Sequence, residues 1–174
     1  MTHKFAFAVF ILAVGLFAFA AGPQPCSVTA VFSSPEADGL AETALVAVLD
    51  EAMESLDIAL YSFTDDQVGA AVLRAFRRGV AVRVLLDEGQ KRARGGEYLN
   101  LISMGVPVVL VRGSGLFHHK FAVIDGAVVI TGSYNWTASA DERNWENLVF
   151  IRCPQMAGVF EEEFERIWLR NATP

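Results

Sequence analysis

Histidine and cysteine are scarce: three of the first and two of the second occur in 174 residues. That scarcity removes whole classes of chemistry. A zinc hydrolase needs several well-spaced ligands, yet the internal histidines are one adjacent pair, His118 and His119. The third, His3, stands at the N-terminus, and no cysteine-rich spacing accompanies any of them. We therefore expect no metal site. A serine hydrolase built on a nucleophile elbow is missing too, because no G-x-S-x-G occurs. There is no surplus of positive charge either. The 14 Lys and Arg face 20 Asp and Glu, a formal net charge of −6. That balance argues against attachment to nucleic acid over the whole surface and leaves room only for a local basic groove. Internal repeats and low-complexity tracts are absent.

What is present begins with an apolar leader. Lys4 precedes an uncharged run from Phe5 to Gly22, within which Ala18, Phe19 and Ala20 form an A-x-A cleavage pattern. Residues 1–20 read as a secretory signal peptide, which makes the protein exported, periplasmic or secreted. The competing reading is a membrane anchor retained over residues 5–22. Cleavage would remove Lys4 and no acid, so the mature chain is more acidic still. The remaining length, residues 26–174, suits a single domain with a full hydrophobic core. Cys26 precedes the first predicted strand and Cys153 follows the last. In an exported protein the two can pair, the alternative being two unpaired thiols.

Strand-length apolar runs alternate with helix-period segments across short turns, the pattern of an α/β domain. Strands are predicted at SVTAVFSS, LDIALYSF, VAVRVLLD and VPVVLVRG. A helix over DGLAETALVAVLDEAM places Leu40, Leu45, Val48, Leu49 and Ala52 on one face, and Thr64 or Asp65 caps the helix DQVGAAVLRAFRRG. Arg74, Arg77 and Arg78 at its end suit the helix dipole and read as a solvated terminus. The closing helix, PQMAGVFEEEFERIWLR, turns Met156, Val159, Phe160, Phe164, Ile167 and Trp168 inward. Lys91, Arg92 and Arg94 form the one dense basic cluster. They lie in a glycine-flanked loop beyond the strand ending at Asp87, where ligands of α/β domains usually sit.

The segment HHKFAVIDGAVVITGSYNWT, residues 118 to 137, carries the chemistry. With HHKFAVID as a strand, period-two geometry puts His118 and Lys120 on one face and turns His119 away. Asp125-Gly126 between two apolar runs is a two-residue hairpin signal. The returning strand leads into Gly132, Ser133 and Asn135, which lie near His118 if the strands pair antiparallel in that register. A lysine charge, two neutral donors and a glycine that admits close approach suit an anionic tetrahedral group. Histidine then serves as nucleophile or acid/base beside a cationic phosphate clamp.

These residues reproduce a joined signature: His118, Lys120 and Asp125 at the spacing H-x-K-x4-D, then Gly132-Ser133-x-Asn135. The chain from about Val28 to Trp168 thereby resembles the phospholipase D superfamily. The likeness looks greatest to small exported bacterial endonucleases with one such motif, with mitochondrial cardiolipin hydrolases further off. The resemblance implies a mixed β-sheet flanked by helices in an α/β/α sandwich, with no cofactor. It also implies that His118 forms a phosphohistidine, that Lys120 and Asn135 bind the nonbridging oxygens, and that Ser133 assists. Glu146 in WENLVF matches the family's acid that orients the histidine. Asp125 belongs to the catalytic motif by resemblance, although its place in the turn gives it an architectural role as well. His119 receives no catalytic task.

Cleavage by this route needs a nucleophile on one side of phosphorus and a proton donor on the other, and the motif supplies one suitably directed histidine. A homodimer would bring two His118 residues to one composite site. The expected reaction is metal-independent hydrolysis of DNA or RNA; the alternative is phospholipase D action on a phospholipid headgroup, and a catalytically silent binding domain is the remaining reading.

Overall fold

The computed structural model describes residues 25–172. The signal peptide and the anchor alternative lie outside the described residues. Seven strands form one mixed sheet: β1 (Ser27–Ser33), β2 (Ser55–Leu60), β3 (Ala81–Asp87), β4 (Val108–Val111), β5 (Lys120–Ile124), β6 (Val128–Gly132) and β7 (Glu146–Arg152). Their spatial order is β1-β7-β6-β5-β2-β3-β4. The β2-β3 and β3-β4 pairs are parallel and the others antiparallel. The helices are α1 (Leu40–Asp50), α2 (Asp66–Arg77), α3 (Tyr98–Ser103), α4 (Ala138–Glu142) and α5 (Pro154–Asn171).

Alternation along the strands divides the core in two. Ile58, Val84, Leu86, Ala122, Ile124 and Ile130 join Leu45, Leu49 of α1 and Val68, Val72 of α2 on one face. Ala59, Leu85, Phe121, Val123 and Val129 meet Ala157, Phe164 and Ile167 of α5 on the other. A central strand buried on both faces reads as a continuous apolar run, which is why β2, β3 and β5 were legible. Arg83 on β3 lies on the α5 face, where it bonds Asp57 at 2.7 Å and Glu165 at 2.8 Å and so ties the helix to the sheet.

Some inward assignments are corrected. Leu40, Met156 and Val159 are exposed. The helical period explains it: the buried stripes centre on Ala41, Leu45, Val48 and Leu49 in α1 and on Ala157, Phe164 and Ile167 in α5, and the three exposed residues fall on their flanks. Asp65 is the N-cap of α2, its carboxylate accepting from the Gln67 and Val68 amides. Arg74 and Arg78 do more than sit at a solvated end, since Arg74 pairs with Asp50 at 2.8 Å and Arg78 donates to the Asp50 and Ala52 carbonyls. They fasten α2 to the end of α1.

Cys26 and Cys153 form a disulfide across a separation of 127 residues, joining edge strand β1 to the start of α5. Closing so long a loop constrains the unfolded chain, so reduction or Cys153→Ser is expected to cost about 2–5 kcal/mol, read as a lower denaturant midpoint with a steeper slope, because the released unfolded chain exposes more surface.

Candidate active site

The strand directions bring one set of loops to one end of the sheet. β2, β3, β4 and β6 finish there, and β5 and β7 begin there. His118 lies just before β5, which starts at Lys120 rather than at the histidines as the sequence suggested. Two neighbouring strand ends hold the segment instead. The Phe117 amide donates to Asp87 Oδ2 at 2.9 Å, and the Tyr61 amide donates to the His119 carbonyl at 2.8 Å. Alternation continues through the held segment. His118 and Lys120 meet on one side, with Lys120 Nζ 3.1 Å from His118 Nδ1 and 3.0 Å from the His118 carbonyl. The Tyr61 ring lies 4.6 Å from the His118 ring, centroid to centroid. His119 turns the other way, edge-on to Phe117 and Phe121, with Nε2 3.7 Å from Glu163 Oε1.

The facing wall is the loop after β6. Phe121 pairs with Thr131, so the residues following Gly132 run past the start of β5. Gly132 has φ 142°, and a Cβ there would collide with the Asn147 carbonyl on β7. Only glycine fits both the dihedral and the approach. Ser133 Oγ donates to Glu146 Oε2 and accepts from the Asn147 amide at 3.1 Å. Between Ser133 and Asn135, and after them, Tyr134 and Trp136 are buried as anchors. The Trp136 carbonyl accepts from the Thr64 amide at 2.8 Å and its ring stands edge-on to Phe63, while Tyr134 OH donates to Asp141 Oδ1. Behind this loop, burial followed by the charges of Asp65, Asp141 and Glu142 pushes the Glu42 carboxyl up to about 7. Among the described residues the Asn135 side chain finds no hydrogen-bond partner, and its Oδ1 is buried. The Nδ2 of the same amide also has no partner among the described residues, and it is this donor that is available to an incoming oxygen.

Burial holds the Lys120 ammonium below the ordinary lysine range, opposed by the charge of Glu146. Within the single chain Glu146 makes no bond to His118. Its carboxylate is held by Ser133 Oγ and Asn144 Nδ2. Sheet order explains this, since β6 lies between β7 and β5. Asp125 is not brought to this end either. It follows β5 at the opposite end, with φ 52°, and its carboxylate accepts from the amides of Met53, Glu54 and Ser55. The structure thus gathers His118, Lys120, Ser133, Asn135 and Glu146, and leaves Asp125 in the architecture of the hairpin.

Sequence reasoning missed Tyr61, Asp87 and Asn147. Two of them had a legible position, at the end of a predicted strand; what they bond depends on pairing between distant segments. The basic loop after β3 folds as a short 3-10 turn over Glu88–Arg92 at this same end, fixed by Gln90 Oε1 accepting from the Phe63 amide at 3.1 Å. Among the described residues no group of three or more His, Cys, Asp or Glu is placed to hold a metal ion.

This arrangement has known counterparts. The family model described as "Cardiolipin synthase, PLD-like domain" matches residues 45–168. A protein named mitochondrial cardiolipin hydrolase from Xenopus tropicalis is 40% identical over 124 residues, which are 71% of this chain and 59% of that protein. The chain therefore spans about three fifths of that relative's length. Nuc from Salmonella typhimurium, described as a phospholipase D family member, superimposes with a TM-score of 0.77 at 28% identity, over 84% of this chain and 97% of its own. NucT from Helicobacter pylori shares the fold, with a TM-score of 0.76 at 22% identity. Identity is thus higher with the hydrolase, and coverage is more complete with Nuc, so the order of likeness expected from the motif holds in length but not in identity.

Proposed function

The chain belongs to the phospholipase D superfamily, and from that premise we propose that it is a phosphodiester hydrolase acting through a phosphohistidine at His118, with nucleic acid as substrate. One observation carries the chemistry: His118 and Lys120 share one side of the segment, opposite a loop whose Asn135 amide the fold leaves unbonded. A diester phosphate placed there would have a nucleophile on one side and donors for its nonbridging oxygens from Lys120 and Asn135. The His118 nitrogen bonds phosphorus as the bond to the leaving alkoxide breaks, and a second imidazole protonates that alkoxide. Water, deprotonated by the same second imidazole, then displaces His118 and releases a phosphomonoester.

The second imidazole comes from another copy of the chain. His119 faces Glu163 behind the strand and cannot reach across the site. A twofold axis beside His118 supplies the missing group, so the functional unit is a homodimer with one composite site. Turnover should then have a bell-shaped pH profile, one imidazole neutral and one protonated, and should persist in EDTA. Nucleic acid is favoured by the resemblance of the single motif to small bacterial endonucleases and by the basic turn fixed at the mouth.

Phospholipid is the second reading, favoured by the identity to proteins named cardiolipin hydrolase and by Leu116 and Trp145, exposed in loops on either side of the site. One assay separates the two: purified protein with plasmid, single-stranded oligonucleotide or phospholipid vesicles in EDTA, beside His118→Ala. Nucleic-acid cleavage that vanishes in the variant supports the proposal, and cleavage of lipid alone refutes the substrate. Sedimentation of a fully active monomer would refute the composite site.

A further inference from the structure

The cations of this chain are not spread evenly in their partnerships. Arg74, Arg83 and Arg152 pair with carboxylates across elements. Among the described residues, the side chains of Arg77, Lys91, Arg92, Arg94 and Arg170 make neither a hydrogen bond nor an ion pair. In a protein with an acid majority, unpaired cations gathered on one side form a local field for an anion. Three belong to the basic turn at the mouth. The other two lie elsewhere, Arg77 at the end of α2 and Arg170 in the last turns of α5.

Arg170 lines a cavity of about 310 Å³ between the loop that leads into His118 and the C-terminal turns of α5. Arg112, Ser114, His119, Glu163 and Arg166 line it with Arg170, over an apolar floor that includes Phe117 and Ile167. Glu163 is the acid in this wall, and it is neutralised by a two-point bond to Arg166 through Nε and Nη2, both 2.8 Å. Arg112 touches Glu88 of the basic turn at 3.2 Å through Nε, in an exposed pair of small energetic weight. The cavity is left with a cationic excess from Arg112 and Arg170, and Arg112 connects it to the basic turn at the mouth. Its wall is the same backbone segment that carries the nucleophile: His118 leaves one side of it and His119 the other.

We propose that this cavity is a second phosphate subsite, which takes a backbone phosphate of the polynucleotide whose scissile phosphate lies at His118, with Arg112 and Arg170 as its principal cations. The inference rests on the nuclease reading. A polynucleotide carries phosphates at regular intervals, so one can occupy each side of the segment. A phospholipid with one headgroup phosphate fills only one, and a cardiolipin, whose two phosphates flank one glycerol, is the lipid to include in the vesicle arm. Guanidinium groups suit the role, because their planar donors match phosphate oxygens in pairs.

The test compares wild type with Arg112→Ala/Arg170→Ala, two exposed positions outside the catalytic groups, using bis(4-nitrophenyl) phosphate, a dinucleotide and a longer single-stranded oligonucleotide, all in EDTA. Vesicles of anionic phospholipid are included as a binding probe. The double variant should keep its rate on the small diester and the dinucleotide. On the oligonucleotide its KM should rise by about tenfold at low salt, and the slope of log(kcat/KM) against log[salt] should shallow by about 0.7 for each phosphate that the variant no longer neutralises. An unchanged salt slope, or an equal loss on all three substrates, overturns the subsite. So does loss of vesicle binding with oligonucleotide cleavage intact. If wild type hydrolyses the small diester but neither nucleic acid, the nuclease reading itself has failed and takes the subsite with it.

Discussion

His118→Ala is expected to lower kcat on a small phosphodiester by on the order of a thousandfold or more, equivalent to about 4 kcal/mol of transition-state stabilisation. His119→Ala should change it by less than about threefold, the range of an indirect effect on a neighbouring group. The two imidazoles are adjacent, both exposed and chemically alike, so a general effect of losing a surface histidine would strike both equally. What separates them is direction: His118 meets Lys120, and His119 meets Glu163. Circular dichroism and the denaturation midpoint of both variants should match wild type. The composite site adds a sharper expectation. In heterodimers purified through two different tags, one wild-type chain and one His118→Ala chain should together be nearly inactive, because each dimer needs one imidazole to attack and another to donate its proton. Half the wild-type rate in such heterodimers would show that each chain works alone.

Much of this was legible in the sequence because it depends on local pattern. Six of the seven strands follow from apolar runs of strand length, and the separation of His118 from His119 follows from period-two alternation, even though the strand proper begins only at Lys120. The approach of Ser133 and Asn135 follows from the Asp125-Gly126 turn, which fixes the register of β5 on β6. Other features were hidden because they depend on neighbours distant in sequence. That the Phe117 amide meets Asp87, or that Ser133 intercepts Glu146, is set by the crossover that puts β2 beside β5 and by the place of β6 in the sheet. The exposure of Leu40, Met156 and Val159 escaped for a different reason. A helical stripe drawn from sequence is wider than the strip a flat sheet covers, and its flanks are decided by packing.

Asp125 tests how a motif residue divides between chemistry and architecture. Asp125→Ala should destabilise the fold by about 1–3 kcal/mol, since it removes the acceptor for three successive amides, of Met53, Glu54 and Ser55, at the turn entering β2. Asp125→Asn, which keeps one acceptor oxygen and the φ 52° that asparagine tolerates, should lose less. Burial alone would raise the Asp125 carboxyl, but the three amides outweigh it and hold the group below the ordinary aspartate value. A carboxyl lowered by folding stabilises the native state above its unfolded pKa, and the contribution is lost as pH falls through the folded value. The difference in unfolding free energy between wild type and Asp125→Asn should therefore hold steady from neutral pH to about 5, then narrow below about 4, the ordinary aspartate range. Catalysis gives the second readout. Well below its unfolding temperature, Asp125→Asn should keep kcat on a small diester within about threefold of wild type, because the carboxylate lies at the far end of β5 from His118. A loss of on the order of a hundredfold in a fully folded variant would return Asp125 to the chemistry and overturn the architectural assignment.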